Sequence, residues 1–504
     1  MEFNQSFPDK TAIVFGEHTW SYQVLGDTIN KIAASLIQQG LQIGDRIALH
    51  LPNCPELIFC YYACFKIGAI AVPVNPLLMA PEIAYILNHS QAKICISHID
   101  SFAEVQLIRE QFAQIPTYFL VGDDATFLGV RPFSDLCRIQ ADQIKWPVLD
   151  DSAVAAILYT SGTTGRPKGV THTHQSLTQM ATYHAQQINL SHTDICGVAL
   201  YLTHIGGFAM QMLPVLSAGA TLVIIPRPDP ALVLQTLQRG RVTYFIGMPV
   251  LFNALVNLPN SGDRLEALRI CLGGGDTVPA VLQQRFTERF GPDIIEICGM
   301  TEVVPYTANT PQERRLGTIG KAAQGMRLRL ADGQGREVSP GEVGEILVKS
   351  DALTVGYWNN PEATTQAFTE GWLRTGDLAW RDEDGYYWFV SRKKDIIVRG
   401  GANVSPLEVE GVIYQHPAVR EVAVIGRPHV TWGEAAHAFV SLKEGFPITK
   451  SELQAFVSQK LAAYKVPESI SFLPELPKGS TGKVHRQTLR DWSQDSFGNV
   501  QTVA

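Results

Sequence analysis

Residues 159–170 of the chain are YTSGTTGRPKGV, in which seven of the twelve residues are Gly, Ser or Thr. The apolar run AVAAILYT (153–160) precedes this stretch and predicts a buried strand, whereas THTHQSLTQMATYHAQQ (171–187) follows it with the periodicity of a helix. A strand, a loop of small residues and a helix form the arrangement in which backbone N–H groups bind an anion. Glycine allows the unusual backbone angles of such a loop, and Lys168 adds a full positive charge. The stretch therefore indicates a phosphate-binding loop rather than a flexible surface loop.

The glycine-rich stretch is not a Walker P-loop. That motif, G-x-x-x-x-G-K-[ST], needs a glycine five residues after the first, and Pro167 stands there when counting starts from Gly162. Two histidines in THTH (171–174) follow the loop, but no Cys or acidic residue accompanies them in that segment, which argues against a metal site. Another design for holding phosphate is expected.

The composition describes an ordinary globular protein of at least two domains. The chain has 504 residues, 45% of them hydrophobic and 18% charged, and this length exceeds what one hydrophobic core normally supports. Its net charge of -7 argues against a general nucleic-acid binder, which needs a basic face. The eight cysteines are scattered without a C-x-x-C pair, which favours a reducing compartment and buried thiols over disulfides or zinc.

No segment predicts export or a membrane span. The N-terminal sequence MEFNQSFPDK lacks the apolar region of a signal peptide. The most apolar stretch, LIFCYYACFKIGAIAVPV (57–74), is interrupted by Lys66 and contains Gly68 and Pro73. A buried helix followed by a buried strand is therefore expected there. A cytoplasmic protein without a transmembrane segment is predicted.

Strand-like and helix-like segments alternate along most of the chain. DRIALHL (45–51) predicts a strand, PELIFCYYACFKIG (55–68) a helix, and AIAVPV (69–74) a second strand. The series continues with EIAYILNHS (82–90) as a helix and KICIS (93–97) as a strand. Such alternation predicts an α/β fold in which helices pack on largely parallel sheets.

The sequence changes in character after about Gly385. A basic region, SRKKDIIVRGG (391–401), is followed by SPLEVEGVIYQHP (405–417), which starts with a capping serine, a proline and a capping-box glutamate. Strand-like and helical segments of short length follow. We place a domain boundary here, with residues 1–391 as an N-terminal domain and residues 392–504 as a small α+β domain.

YTSGTTGRPKG resembles the signature of the adenylate-forming superfamily, which includes acyl-CoA synthetases, firefly luciferases and the adenylation domains of peptide synthetases. Five further stretches resemble motifs of this family in the family's order, and the resemblance runs from about Pro8 to Arg490. The five stretches are LGGGD (272–276), ICGMTE (297–302), GWLRTGDLA (371–379), SRKKDIIVRGGANVSPLEVE (391–410) and PKGSTGKVHR (477–486). The resemblance implies a large N-terminal domain of α/β layers with mixed sheets, which binds ATP and the acid. It also implies a small, mobile α+β C-terminal domain that carries a catalytic lysine.

The resemblance implies roles for single residues. The glycine-rich loop would hold the β- and γ-phosphates of ATP. Thr301 and Glu302 would lie near the α-phosphate, with Glu302 as a ligand of Mg²⁺, since this ion favours carboxylate and phosphate oxygens. Asp377 would accept hydrogen bonds from the ribose hydroxyls, as carboxylates do in dinucleotide folds. Lys483 would be the catalytic lysine and Lys394 the hinge between the two domains.

The same motifs imply further contacts with the nucleotide and with CoA. The family's tyrosine that packs against adenine is replaced here by Cys298, which predicts a wider nucleotide pocket. Arg392 would lie near the ribose, and Gly400 and Gly401 would line the tunnel for the thiol substrate. The residues expected to bind ATP or CoA are Thr160, Ser161, Gly162, Thr163, Thr164, Gly165, Lys168, Gly273, Gly274, Gly275, Cys298, Gly299, Met300, Asp377, Arg392, Gly400 and Gly401.

The family's acid pocket corresponds to YLTHIGGFAMQML (201–213) and to IGMPVLFNAL (246–255). No acidic residue occurs between Ala199 and Pro214, whereas relatives that activate amino acids place an aspartate there to pair with the ammonium group. Glycines and apolar side chains suit an uncharged acyl group, although simple core packing is the alternative for this segment. The residues expected to line the pocket are His204, Gly206, Gly207, Phe208, Met212 and Gly247. His204 matches a histidine common in acyl- and aryl-CoA ligases and is also expected to be catalytic.

The sequence thus predicts an AMP-forming acid–thiol ligase of the acyl-CoA synthetase type. It would activate a carboxylic acid, by preference a medium- or long-chain fatty acid, as acyl-AMP and transfer the acyl group to CoA. No carrier domain follows Lys483, and residues 357–377 lack the insertion typical of fatty acyl-AMP ligases, which favours CoA as the acceptor. Three alternatives stay open: a ligase that loads a separate carrier protein, an aryl-CoA ligase, and a catalytically silent nucleotide-binding regulator.

Overall fold

The order of strands and helices follows the predicted alternation over most of the chain. The computed structural model describes residues 6–112, 115, 117–122, 127–139, 144–160, 167–259, 264–479 and 482–494. The strands of the described residues up to the predicted domain boundary are β1 (Thr11–Phe15), β2 (His18–Ser21), β3 (Arg46–His50), β4 (Ile70–Pro73), β5 (Ile94–His98), β6 (Thr117–Val121), β7 (Val130–Pro132), β8 (Val154–Thr160), β9 (Lys168–Thr173), β10 (Ile195–Val198), β11 (Thr221–Ile224), β12 (Tyr244–Gly247), β13 (Ile270–Gly273), β14 (Ile294–Met300), β15 (Val303–Ala308), β16 (Lys321–Ala322), β17 (Arg327–Ala331), β18 (Gly344–Lys349), β19 (Gly356–Tyr357), β20 (Phe368–Thr369), β21 (Trp372–Arg381) and β22 (Tyr387–Arg392). The strands that follow are β23 (Ile397–Arg399), β24 (Ala402–Val404), β25 (Val419–His429), β26 (Gly433–Leu442) and β27 (Ser469–Phe472).

The α-helices lie between these strands. They are α1 (Tyr22–Gln38), α2 (Pro55–Ile67), α3 (Ala80–Ser90), α4 (Phe102–Ile108), α5 (His174–Gln187), α6 (Leu213–Ser217), α7 (Pro230–Arg239), α8 (Pro249–Asn257), α9 (Ala280–Phe290), α10 (Pro361–Ala367), α11 (Pro406–Ile413), α12 (Lys450–Ser458) and α13 (Arg486–Gln494). A π-helix, Gly206–Met212, leads directly into α6.

Two large mixed sheets form the body of the N-terminal part. The first has nine strands in the order β16-β15-β14-β13-β12-β10-β11-β1-β2, with parallel strands in the middle and antiparallel ones at the edges. The second has eight strands in the order β19-β9-β8-β4-β3-β5-β6-β7, in which β9 runs antiparallel to both of its neighbours, β8 and β19. Buried residues of α1, α2 and α5 and of both sheets share one hydrophobic core. Helices between sheets are the arrangement expected for α/β layers.

Two smaller sheets follow along the chain. Strands β17, β18, β20, β21 and β22 form an antiparallel sheet. Strands β23 to β27 form the sheet of the C-terminal region, against which α11 and α12 bury Val409, Ile413, Leu453 and Val457 in a separate core. The predicted fold class, a large α/β part with mixed sheets and a small α+β part, is confirmed. The predicted boundary between residues 391 and 392 falls at the end of β22 and stays a prediction.

Helix α2 confirms that the most apolar stretch forms a buried helix. Eleven of its thirteen residues are buried, and it ends at Gly68, whose φ of 71° is left-handed and suits glycine. Strand β4 follows at once in the sheet core. Among the described helices, none is both long enough and apolar enough to cross a membrane. The cytoplasmic location stays a prediction.

The surroundings of the glycine-rich loop differ from the prediction. Strand β9 pairs antiparallel with β8, so the loop joins two strands of a hairpin, and α5 begins only at His174. Residues 171–173 are extended because β9 lies between β8 and β19 and forms backbone hydrogen bonds to both. Thr173 does cap α5, since its hydroxyl accepts from the N–H of Ser176. The N terminus of the helix is therefore separated from the loop by the length of β9.

Candidate active site

A cleft of about 1550 Å³ lies between the N-terminal body and the C-terminal region. Its walls come from the turn after β13, the end of β14, the strands β21 and β22, and the loop before α13. The sequence-predicted residues along it are Gly275, Cys298, Gly299, Asp377, Arg392, Lys394 and Lys483. The fold thus brings motifs from distant parts of the sequence to one cleft.

Asp377 is fixed in this cleft by a chain of polar contacts. Tyr306 Oη donates to Asp377 Oδ2 at 2.5 Å, and Cys298 Sγ lies 2.9 Å from the same hydroxyl. Arg392 Nε lies 3.1 Å from Asp377 Oδ1, on the strand that pairs with the strand of Asp377. Oδ1 accepts no hydrogen bond from the described residues, although Asp377 is only 1% exposed. A buried carboxylate oxygen without a hydrogen bond fits a hydroxyl donor from a ligand, such as a ribose.

A second buried carboxylate, Glu302, lies beside Lys168 at the base of the glycine-rich loop. Tyr357 Oη donates to Glu302 Oε1 at 2.6 Å, and Lys168 Nζ lies 4.9 Å from the ring centroid of the same tyrosine. Burial raises the pKa of Glu302, while the Tyr357 hydrogen bond and the charges of Arg392 and Lys168 oppose that rise. The arrangement favours an additional cation next to Glu302.

Lys483 extends from the loop before α13 to the N-terminal body. A Cβ added at Gly275 would lie 3.6 Å from Cε of Lys483. Burial lowers the pKa of Lys483, and burial together with the charge of Lys483 lowers the pKa of His204 to about 4. Nδ1 of His204 accepts from the N–H of Gly206 at 3.3 Å, so the neutral imidazole carries its proton on Nε2. The C-terminal region thus supplies a cation to the space near the glycine turn and the histidine.

The glycine turn after β13 is held by the buried side chain of Glu296. Its Oε1 accepts from the N–H of Val278 at 3.1 Å, and its Oε2 accepts from the side-chain amide of Gln283 at 3.2 Å. Burial raises the pKa of Glu296 to about 8, because desolvation outweighs these two hydrogen bonds. A Cβ at Gly273 would lie 2.6 Å from an isoleucine side chain, and Gly275 has a φ of +85°. Glycine is therefore required at both positions.

The predicted acid pocket begins with the π-helix Gly206–Met212, in which all seven residues are buried. The Phe208 ring packs on the Tyr61 ring with 4.7 Å between centroids. A Cβ at Gly207 would lie 2.6 Å from a backbone oxygen, and one at Gly247 would lie 2.7 Å from an aromatic ring, so both glycines allow close packing. π-Helical turns are frequent at functional sites. The role of this segment in binding the acid stays a prediction.

Part of the predicted phosphate site lies outside the described residues, namely Ser161, Gly162, Thr163, Thr164 and Gly165. Thr160 and Lys168 face each other across the hairpin at the base of that loop. Thr301 is half-buried, and its carbonyl accepts from His172 Nε2 at 2.8 Å. This bond ties the strand after the loop to the Thr301–Glu302 turn. The phosphate contacts of the loop stay predictions.

The predicted hinge residue lies between the two smaller sheets, and the predicted thiol-site glycines lie in the second of them. Lys394 is exposed in a single 3₁₀ turn, Lys393–Asp395, which connects β22 to β23. Gly400 and Gly401 form the turn of the β23–β24 hairpin, and a Cβ at Gly400 would lie 3.0 Å from the ring of Trp432. In the described part of the chain, neither glycine lines the cleft that holds Lys483. The thiol and the lysine are therefore expected to use different faces of the C-terminal region.

Three site residues were not found from the sequence: Tyr306, Tyr357 and Glu296. Tyr306 reaches Cys298 only because β14 and β15 pair with Cys298 opposite Thr307. Tyr357 reaches Glu302 only because β19 joins the edge of the second sheet. These contacts arise from strand pairing between segments, and no local spacing in the sequence signals them.

The resemblance implies Mg²⁺, and the side chains fit this ion only together with phosphate. Across the described ranges there is no group of three or more His, Cys, Asp or Glu residues that could hold a metal ion. Within the described ranges, Glu302 offers a buried carboxylate near Lys168. Mg²⁺ commonly binds one or two carboxylates, several waters and substrate phosphates, so a single carboxylate is a suitable anchor.

Comparisons with known proteins extend over nearly the whole chain. The model of the AMP-binding enzyme family matches residues 2–358, and the model of the AMP-binding enzyme C-terminal domain matches residues 408–483. The crotonobetaine/carnitine–CoA ligase of Salmonella choleraesuis (strain SC-B67) is 34% identical over 499 residues, which cover 96% of either protein.

Solved structures show the same extent of similarity. The anthranilate CoA ligase AuaEII, in complex with anthranoyl-AMP, superposes with a TM-score of 0.92 at 31% identity, covering 97% of this chain and 95% of that chain. ATP-bound MatB from Rhodopseudomonas palustris superposes with a TM-score of 0.91 at 29% identity, covering 98% of this chain and 97% of that chain. Both comparisons include the C-terminal region as well as the N-terminal body.

Proposed function

The chain belongs to the AMP-binding enzyme family, and on this premise we propose that it joins a carboxylic acid to CoA in two steps that consume ATP. In the first step the carboxylate attacks the α-phosphate of ATP, which forms acyl-AMP and releases pyrophosphate. In the second step the CoA thiol attacks the acyl carbon, the bond to AMP breaks, and the thiol proton leaves to solvent. The intermediate is needed because a carboxylate is a poor electrophile with a poor leaving group.

One observation carries this proposal: Lys483 reaches from the C-terminal region into the cleft that holds Asp377. It lines this cleft, its Cε would lie 3.6 Å from a Cβ added at Gly275, and its charge lowers the pKa of His204. A positive charge at this position would stabilise the charge that develops as the carboxylate attacks the α-phosphate. The half-buried His204, whose pKa is lowered to about 4, adds a donor without adding a competing charge.

The other side chains of the cleft support a site for ATP. Asp377, whose Oδ1 accepts no hydrogen bond from the described residues, and Arg392 would hold the ribose. Lys168 and the loop that precedes it would hold the terminal phosphates. Glu302 would hold Mg²⁺, which when bound neutralises phosphate charge. Holding the reactants in one orientation supplies much of the catalysis in such a reaction.

The acid is proposed to be apolar apart from its carboxylate. Segment 201–213 has no acidic side chain to pair with an ammonium group, and His204 is neutral. Buried aromatic rings fill the space behind the π-helix, where Phe208 contacts Tyr61 and Phe65. These surroundings are apolar, and the similarity to an anthranilate CoA ligase supports a flat aryl acid first and a medium- or long-chain fatty acid second.

The acceptor is proposed to be CoA, brought in by rotation of the C-terminal region. The two half-reactions need different groups around one acyl carbon, and Gly400 and Gly401 lie away from Lys483. Lys394, in its exposed turn, is the proposed hinge. Lys394→Pro fixes one backbone angle there, so pyrophosphate release is expected to continue while acyl-CoA formation drops by orders of magnitude. A folded Lys394→Pro enzyme that forms acyl-CoA at the wild-type rate would place the pivot elsewhere.

An acid panel tests the proposed function directly. AMP formation is measured with ATP, Mg²⁺ and either CoA or a holo carrier protein, using benzoate, anthranilate, octanoate, palmitate, crotonobetaine and phenylalanine as acids. We expect the highest kcat/KM with an aryl acid and CoA, and AMP formation by Lys483→Ala that is slowed by roughly 10²–10³-fold with every acid.

Each other outcome has a defined meaning. A fatty acid with the highest kcat/KM would select the second candidate, and the carrier protein as the better acceptor would exclude CoA. Phenylalanine or crotonobetaine as the best acid would overturn the proposed substrate class, because both carry a positively charged nitrogen. ATP binding without AMP formation from any of the six acids would favour the silent regulator.

A further inference from the structure

Tyr306 lies behind the proposed ribose site without lining the cleft itself. It is fully buried on β15, and the pairing of β15 with β14 brings its hydroxyl to Cys298. The same hydroxyl reaches across to Asp377 on β21, a strand of a different sheet. Tyr306 is therefore the polar link between three segments at the nucleotide end of the cleft.

The chemistry of the three groups fixes the direction of the hydrogen bonds. A phenol carries one proton, and an ionised carboxylate can only accept, so the proton of Tyr306 points to Asp377 Oδ2. The phenol oxygen is then free to accept from the thiol of Cys298, 2.9 Å away. Burial raises the pKa of Cys298 to about 12, so the thiol keeps its proton. The chain runs from thiol to phenol to carboxylate.

This chain leaves the two oxygens of Asp377 in different states. Oδ2 accepts the Tyr306 hydroxyl at 2.5 Å, which is a short, charge-assisted bond. Oδ1 lies 3.1 Å from Arg392 Nε but accepts no hydrogen bond from the described residues. If the phenol hydroxyl were absent, the guanidinium of Arg392 could pair with both oxygens at once, as planar guanidinium groups prefer. The carboxylate would then turn from the position in which Oδ1 is available to a ligand.

We propose that Tyr306 is a positioning residue for nucleotide binding, whose hydroxyl holds Asp377 so that Oδ1 accepts from a ribose hydroxyl. The inference rests on the proposed function, because it takes ATP as the ligand of the cleft. Cys298 contributes to this arrangement, because its thiol can donate to the phenol oxygen of Tyr306 where the family's tyrosine would place an aromatic ring.

The test compares two nucleotides that differ only at the ribose. Dissociation constants of ATP and of 2′,3′-dideoxy-ATP are measured by calorimetry for the full chain and for Tyr306→Phe. Loss of one hydrogen bond to a charged group predicts an increase of about 10-fold or more in the Kd of ATP, and a change within about 2-fold for the dideoxy nucleotide. The dideoxy compound has no hydroxyl for Oδ1, so the orientation of Asp377 should not affect its binding.

A matched control removes another buried phenol hydroxyl. Tyr22 is equally buried, and its hydroxyl donates to the carbonyl of Ala220 at 2.6 Å, outside the cleft. Tyr22→Phe is expected to leave the Kd of both nucleotides unchanged. Thermal melting of the three proteins shows whether each variant is folded.

The outcomes separate this inference from the proposed function. If Tyr306→Phe weakened both nucleotides equally, Tyr306 would have only a structural role and the inference would be overturned. If the wild-type protein bound ATP and dideoxy-ATP with equal Kd values, the ribose hydroxyls would not contribute to binding and the inference about Tyr306 would be overturned. Wild-type protein that bound neither nucleotide would overturn the proposed function as well.

Discussion

Asp377 and Glu302 form the same local unit, a buried carboxylate that accepts from a tyrosine hydroxyl. The distances are 2.5 Å from Tyr306 to Asp377 and 2.6 Å from Tyr357 to Glu302, and the two acids are 1% and 6% exposed. Their cations differ. Arg392 lies 3.1 Å from Asp377, whereas Lys168 lies on the ring of the intervening tyrosine, 4.9 Å from its centroid.

The difference in cation supports different functions for the two carboxylates. Asp377 has its charge partner within the chain and keeps one oxygen for a neutral donor, as a ribose hydroxyl would be. Glu302 has no ion pair with any described residue, and burial raises its pKa, so its ionised form gains from an incoming cation. A tyrosine–carboxylate pair thus does not define its ligand by itself. The distance from the carboxylate to a cation of the protein decides whether the pair suits a neutral donor or a metal ion.

The largest expected effect comes from removing the cation that lies between the two proposed subsites. Lys483→Ala should slow adenylation by roughly 10²–10³-fold, the range for removing one preorganised electrostatic donor. Acyl-AMP supplied to the variant should still be converted to acyl-CoA at a near-normal rate, because the second step is proposed to use another face of the C-terminal region. The rates of pyrophosphate release from ATP and of acyl-CoA formation from added acyl-AMP are measured on the same preparation. Equal loss of both half-reactions in a folded variant would contradict the role given to Lys483.

Neutralising each carboxylate in turn tests the comparison itself. Glu302→Gln should lower kcat/KM by about 100-fold and raise the Mg²⁺ concentration needed for half-maximal rate, since a metal anchor contributes several kcal/mol. Asp377→Asn should weaken ATP binding by about 10-fold with no change in the Mg²⁺ requirement, as expected for a lost charge-assisted hydrogen bond. Titrations of rate against Mg²⁺ and against ATP separate the two. If both variants shifted the same titration, the separate roles of Glu302 in binding Mg²⁺ and of Asp377 in binding ATP would be wrong.

Removing the hydroxyl of Tyr357, which donates to Glu302, should have a smaller and pH-dependent effect. Its hydrogen bond lowers the pKa of Glu302 against the rise caused by burial. Tyr357→Phe removes that bond, so the pKa of Glu302 rises further and its ionised fraction at a given pH falls. The acidic limb of the profile of kcat/KM against pH should therefore move to higher pH, with a loss of about 10-fold below the limb. Tyr306→Phe serves as the control and should leave this limb in place.

The sequence predicts those parts of the fold that local patterns determine. Helix α2 and strand β3 were expected because their apolar residues are contiguous in sequence and need only burial. Strand β9 was missed because residues 171–173 take their extended form from pairing with β8 and β19, which are remote in sequence. The site follows the same division. Motif residues such as Asp377 and Lys483 could be identified from the family resemblance, but Tyr306 and Tyr357 depend on strand register and sheet edges.

Glu296 extends the comparison to a buried carboxylate whose described partners are only an amide N–H and a glutamine side chain. Burial raises the pKa of Glu296 from 4.5 to about 8. The carboxyl group of Glu296 therefore binds its proton more tightly in the folded protein than in the unfolded chain. The stability that results is fully present below about pH 4.5 and is lost as pH rises to about 8, because the unfolded chain releases the proton first.

Glu296→Gln should remove this pH dependence, since an amide does not titrate in that range. The free energy of unfolding of the variant relative to wild type should therefore increase between pH 5.5 and pH 8.5, by at least about 1 kcal/mol, because a tenfold difference in proton affinity is worth about 1.4 kcal/mol. Urea unfolding of both proteins at several pH values measures the difference and cancels the other titrating groups. A difference that stays constant with pH would mean that Glu296 is ionised in the folded protein. The distance to a fixed cation would then not be what separates the buried carboxylates of this cleft.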